Sequence, residues 1–264
     1  MLNMLRADIY RITRGKALYV NLVVLILFNI MVVGTQSIAG INFSIAWESM
    51  GITPPEIGFD GLGSAALLYT RLDNTIFFLL SLVCIAGMSI FTCNTVKNDI
   101  SFGISRAKLY LSKLVLSVGL CVLLVLFYMG TGMLMATFLR GFGGPAPAGF
   151  WLNLFQTLGA QMFAMLAMVC LVNFLIFAFR CSGSVIAMFF AICFAPTMIV
   201  GLIMLAFPGA LRFLELDLMF TINRLGFFSQ LGTRTVIASL AVSALYMVAT
   251  TLGGIALFRR AEIK

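Results

Sequence analysis

The chain contains no histidine, and its six cysteines include no Cys-x-x-Cys pair, so the common ligand sets for zinc are missing and no metal site is expected. Cys84, Cys93, Cys121, Cys170, Cys181 and Cys193 all fall in apolar runs or at their basic ends, and no structural disulfide is expected. No G-x-x-x-x-G-K-[ST] sequence occurs, which excludes the usual way of cradling a nucleotide within this chain. Charge is scarce, at 10% of residues, and none of it lies in the long apolar runs. Ionisable groups persist inside membranes only for function, so their absence argues against a proton- or sodium-coupled carrier and against a voltage sensor. Without an intramembrane acid, a histidine, or a nucleophile beside its base, no enzyme chemistry is visible either.

What the chain has instead is apolar length. Hydrophobic residues make up 62% and the mean hydropathy is +1.10, against about 45–50% apolar in a soluble domain. A membrane span needs about 20 mostly apolar residues. Six runs qualify: Ala17–Gln36, Thr75–Cys93, Leu114–Leu139, Leu152–Phe179, Ser184–Phe207 and Thr235–Phe258. The period-2 alternation of an outer-membrane barrel is absent, so the expected fold is all-α, one polytopic membrane domain over residues 1–264 with six transmembrane helices. The basic start, the first apolar run and Ser37-Ile38-Ala39 mimic a signal peptide, but the run is too long for an h-region, and an uncleaved first span is expected.

Basic residues are retained on the cytoplasmic side, which orients the chain. One side holds Arg6, Arg11, Arg14, Lys16, Lys97, Arg106, Lys108, Lys113, Arg180, Arg259, Arg260 and Lys264. The other holds Arg71, Arg140, Arg212, Arg224 and Arg234 with the acids Glu48, Glu56, Asp60, Asp73, Glu215 and Asp217. Both termini are therefore expected in the cytoplasm and the protein in the cell membrane. The net charge of +8 is this topological bias and does not indicate a nucleic-acid partner.

The connections differ in character. Leu2, Leu5, Ile9 and Ile12 recur at helical spacing, and with Arg6, Arg11, Arg14 and Lys16 they suit an elbow helix over residues 1–16 lying on an anionic leaflet. Ser37–Asn74 is a long polar outer loop with Pro54-Pro55 and a short amphipathic stretch near Phe43–Met50. Arg140–Phe150 is Gly- and Pro-rich and reads as an outer turn. Pro208–Arg234 is too charged to cross and too apolar to be free loop; two short re-entrant helices broken near Leu225-Gly226 account for both properties. A cap over the bundle accounts for them equally.

Within the spans, neutral polar groups include Asn21, Tyr128, Thr131, Gln156 and Thr197, and Asn29, Gln161 and Asn173 are the candidates for a translocation surface; ordinary helix–helix contacts are the alternative. Pro196 removes a backbone hydrogen bond inside the fifth span and marks a hinge or a fixed bend.

One basic stretch, Val96–Lys113, sits between apolar runs and faces the cytoplasm in this orientation. Ile100, Phe102, Ile104 and Leu109 offer apolar knobs beside Lys97, Asp99, Arg106 and Lys108, and Gly103 permits a sharp turn. With no phosphate loop in the chain, uphill transport needs a partner, and this stretch is the place to grip. Together Thr95-Val96-Lys97-Asn98, Gly103-Ile104-Ser105-Arg106, Lys108 and Tyr110-Leu111-Ser112-Lys113 resemble the loop between spans two and three of type 2 ABC transporter permeases. The likeness is to the small six-span Firmicutes permeases for peptide antibiotics, lantibiotic immunity and phenol-soluble modulins. It departs from them at Thr92, Cys93 and Asn94, where an acidic residue is common.

The resemblance implies a permease subunit exporting amphipathic or hydrophobic peptides. It implies two copies of a separate ATP-binding subunit carrying ATP and magnesium, a second permease copy in a homodimer, and coupling through residues 94–113, with Lys97, Phe102, Gly103, Ile104, Ser105, Arg106 and Lys108 as contacts. The alternative from the residues alone is a non-transporting sensor or assembly partner that recruits a cytoplasmic protein through the same loop.

Overall fold

The computed structural model describes residues 2–35, 60–70, 72–92, 101, 103–144, 146, 148–204 and 211–260. Among them there is no strand. The helices are α1 (Leu2–Arg14), α2 (Lys16–Thr35), α3 (Gly61–Thr70), α4 (Thr75–Thr92), α5 (Arg106–Arg140), α6 (Phe150–Phe179), α7 (Ser182–Met204), α8 (Leu211–Leu214), α9 (Leu218–Leu225) and α10 (Thr233–Arg260), with short 3-10 turns at Leu72–Asn74 and Phe228–Gln230. Five helical segments are long and apolar enough to cross a membrane, and the pair α1 and α2, bent by 61° at Gly15, makes a sixth. Helix is the outcome such runs dictate, because a segment without access to water must pair every backbone N–H and C=O within itself.

Two helices organise the bundle. Helix α6 packs against α3, α4, α5, α7, α9 and α10, and α5 packs against α1, α2, α3, α4, α6 and α10. Burial is greatest in α4 and α6, where 67% of the apolar window is enclosed, against 33% in α5, 22% in α7 and 17% in α10. The outer helices therefore turn most of their Leu, Ile and Val away from the bundle, as helices facing lipid do. Helix α7 joins α4 through the rings of Phe77, Phe190 and Phe194, with neighbouring centroids at 5.7 and 5.8 Å.

Helix α5 begins earlier than its apolar run. Ser105 supplies the N-cap, its Oγ accepting the Lys108 N–H at 3.4 Å, and Gly103 ahead of it turns with φ +81°. The 35 residues that follow form one helix, about 52 Å long at about 1.5 Å per residue. Residues Arg106–Lys113 are thus its first two turns rather than a separate surface helix. At its far end Gly141 turns the chain with φ +81°, and its carbonyl and that of Phe142 accept the N–H groups of Gly61 and Leu62.

The path of residues 211–231 sets the second region of interest. Asp217 comes beside Thr197, in the second half of α7, whereas Arg224 reaches Ser239, near the start of α10. Helix α9 ends at Leu225 with Gly226 next, where a break is expected from the sequence, and a further break falls at 215–217 between α8 and α9. The amphipathic stretch at Phe43–Met50 and the tail from Ala261 lie outside the described residues.

Candidate functional site

Three residues on one face of α5 fasten the basic stretch to the rest of the chain. Arg106, Tyr110 and Lys113 stand at i, i+4 and i+7, so their side chains rise along the same side of the helix. The Arg106 guanidinium donates to the carbonyls of Phe258 and Arg259, at 3.3 and 2.9 Å, at the C-terminal end of α10. Carbonyls in the last turn of a helix lie toward the negative end of its dipole, where a cation is favoured.

Tyr110, fully buried, packs its ring 4.9 Å from Phe177 of α6, and Phe177 in turn meets Phe258 of α10 at 4.8 Å and Phe91 of α4 at 5.5 Å. Edge-on and tilted rings at these separations are favourable beyond the area they bury. The tyrosine hydroxyl donates to the Thr250 carbonyl at 3.4 Å, and the ring lies where a side chain at Gly254 would sit. This aromatic cluster joins α4, α5, α6 and α10.

Lys113, 2% exposed, pairs with Asp8 of α1 at 2.8 Å, and its Nζ lies 3.5 Å from the Ala86 carbonyl of α4. Asp8 is the acid among the N-terminal arginines, and Ile12, one turn on, packs with Ala86 and Leu116. The buried face of α1 is thus Asp8 and Ile12. Ile9, expected on that face from its spacing, is 45% exposed and points away. Arg6, Arg11, Arg14 and Lys16 are exposed, and Arg14 lies over the Tyr10 ring at 5.0 Å.

Of the residues expected to meet a partner, Gly103, Ser105 and Lys108 are exposed and Ile104 is half-buried. Lys97 and Phe102 lie outside the described residues. Arg106 is engaged with α10, and its role within the chain is to hold that helix.

No family model matches the chain, and no curated protein matches it. The assignment of roles therefore rests on geometry.

Asn29, Gln161 and Asn173 are each 0% exposed and tie helix to helix. The Asn29 amide donates to Thr131 Oγ1 at 2.8 Å and to the Tyr128 carbonyl at 3.2 Å. Gln161 donates to the Ile222 carbonyl of α9 at 3.1 Å, and Asn173 accepts from Ser117 at 3.4 Å. In this conformation they are contacts within one chain, not an open surface. Pro196 lies inside α7, which continues through it to Met204.

The segment 211–231 carries charge that span-by-span reading misses. Arg224 is 1% exposed, with Nη1 3.2 Å from Glu215, Nη2 donating to Ser239 at 2.6 Å, and its guanidinium 5.7 Å from the Phe220 ring. Asp217 is 7% exposed and caps α9, its carboxylate accepting the N–H groups of Met219 and Phe220 at 3.4 Å each. Burial pushes its carboxyl up to about 6, the cap and Thr197 hydrogen bonds offsetting part of the cost. The spans are free of acids, yet the chain places one among them.

Proposed function

We propose that this chain is the membrane-spanning permease subunit of an ATP-driven ABC exporter for amphipathic or hydrophobic peptides. Helix α1 is its elbow on the cytoplasmic leaflet, Gly103–Lys113 its coupling element, and residues 211–231 its outer re-entrant segment. A homodimer of this chain would dock two copies of a separate ATP-binding subunit, which holds ATP and magnesium and performs the hydrolysis. Both termini are cytoplasmic on this reading, following the positive-inside bias.

The observation that supports the reading best is mechanical. The start of α5 is fastened to α10 by Arg106, to α4 and α6 by the Tyr110 cluster, and to α1 by Lys113. A force applied at Gly103–Lys108 therefore reaches α1, α4, α6 and α10 together instead of bending a loose loop. Packed interfaces pass such displacements on because close-packed groups resist compression. Closure of an ATPase dimer against this surface would move the basic ends of these helices as one unit and open a path between two copies.

The contact surface on this account is Ile104 and Lys108, since Arg106 serves α10. Ile104→Asp combined with Lys108→Glu, reconstituted with the ATPase in proteoliposomes, should abolish substrate-stimulated hydrolysis and peptide export while leaving membrane insertion intact. Unchanged coupling and export in that double variant would remove the basis of the proposal.

A further inference from the structure

A cavity of about 150 Å³ opens beside Asp217, between α6, α7 and α10. Its walls are Met168 and Leu171 of α6, Ile192 and Pro196 of α7, and Tyr246 of α10. Phe213 and Leu216, 67% and 57% exposed, stand at its mouth. Tyr246 and Cys193, also in the wall, lie away from the ends of their helices, so the carboxylate faces side chains from inside the bundle.

A carboxylate there is costly unless matched. Its partners among the described residues are neutral: the Met219 and Phe220 N–H groups and the Thr197 hydroxyl, each at 3.4 Å, with the Leu218 N–H beside them. The cation nearest in sequence among described side chains, Arg224, is committed to Glu215 and Ser239. The titratable groups facing Asp217 are Cys193 of α7 and Tyr246 of α10, while α6 offers only Met168 and Leu171. Pro196 has no N–H, so the Ile192 carbonyl in the same wall loses its intrahelical donor. The site thus combines the Asp217 carboxylate and Tyr246 with mostly apolar walls, and its volume suits a guest of about six carbon atoms. Inorganic divalent cations ask for more oxygens than this, commonly about six to eight for calcium.

We propose that this cavity binds the primary ammonium group of an amphipathic cation, the nitrogen donating to Asp217 and the alkyl chain lying against Met168 and Leu171. An ammonium has three donors and no acceptor, so its head can donate to the Asp217 carboxylate while its chain meets the apolar wall. The inference stands on the cavity and does not require the export reading. A lysine side chain of a peptide and the amine of an aminolipid share this chemistry.

The test uses the full-length protein in neutral detergent without any ATPase, titrated calorimetrically with n-hexylammonium chloride at pH 7.5. Saturable binding is expected, with affinity at least about tenfold weaker in Asp217→Asn, which keeps the helix cap while removing the charge. Lowering the pH to 5, one unit below the Asp217 value of about 6, should weaken binding about tenfold as the carboxyl protonates. Leu171→Phe, which fills the cavity and spares the carboxylate, should also lose the site and serves if Asp217→Asn does not fold. Displacement by a lysine-bearing amphipathic peptide, or by nanodiscs containing phosphatidylethanolamine but not phosphatidylcholine alone, identifies which amine occupies it. Equal binding of n-hexanol, equal competition by potassium, or unchanged affinity in either variant would overturn the proposal.

Discussion

Two of the buried charged sites, the Lys113–Asp8 pair and Asp217, treat charge in opposite ways. At the basic end, Lys113 and Asp8 meet at 2.8 Å in surroundings where the lysine is 2% exposed, so a cation and an anion cancel within the chain. In the segment 211–231, Asp217 is comparably enclosed, but its partners among the described residues are neutral donors and it faces a cavity. A closed pair holds helices together, because removing either partner strands the other. An open carboxylate contributes less to cohesion and leaves electrostatic potential available to a ligand. On the proposed reading the first arrangement suits a transmission joint and the second a binding site, and each can be broken separately.

The largest effect is expected at the closed pair. Lys113→Met alone, or Asp8→Asn alone, leaves one buried charge unmatched and should cost about 3–5 kcal/mol. The double variant should recover most of that loss. Thermal unfolding of the purified protein in detergent checks both statements; single and double variants of equal stability would mean that the pair is not closed. Next is Gly254→Ala, whose added methyl meets the Tyr110 ring and should cost about 1–3 kcal/mol by overpacking. Tyr110→Ala in that background opens space and should relieve the added methyl's own penalty, making the two changes non-additive in a double-mutant cycle.

The open carboxylate gives a pH signature of definite sign. The Asp217 carboxyl stands at about 6 in the folded protein against an ordinary 3.8. Between those values the folded chain holds a proton that the unfolded chain has released. Its contribution to stability is therefore greatest below the lower value and is lost as pH rises through the upper one. Asp217→Asn should flatten that slope in melting curves recorded from pH 4 to 7, and a slope unchanged by the substitution would assign it elsewhere. The smallest effect on stability is expected for Lys108→Glu, within about 0.5 kcal/mol, as for other exposed positions. Its effect should fall on coupling instead.

Much of the bundle was legible in the sequence because apolar length and helix are linked by backbone hydrogen bonding. Thr75 opens α4 and Phe179 closes α6 as the composition indicates. The start of α5 was less legible: the apolar run begins at Leu114, whereas the helix begins at Arg106, where Ser105 provides the cap. The lone acid Asp8 among N-terminal arginines was the available signal for an internal pair, but Lys113 is 105 positions away and nothing local couples them. For the same reason Lys113 read as a cytoplasmic charge and Arg106 as a contact for a partner. The burial of Asp217 was hidden because it depends on the path of a connection between spans, not on the composition of any span. The three amides Asn29, Gln161 and Asn173 stood out as polar groups in apolar runs, but their direction is fixed only by neighbouring helices.

The central claim is that Gly103–Lys108 is the surface through which a partner's ATP hydrolysis enters the membrane. Photocrosslinking tests it most directly, with p-benzoylphenylalanine replacing Lys108 in membranes of the cells that make the protein. The account predicts one dominant adduct, to a cytoplasmic protein whose peptides include a G-x-x-x-x-G-K-[ST] phosphate loop, whose yield changes when ATP is trapped in the complex. An adduct to a protein without such a loop, or no adduct from this position, would contradict it.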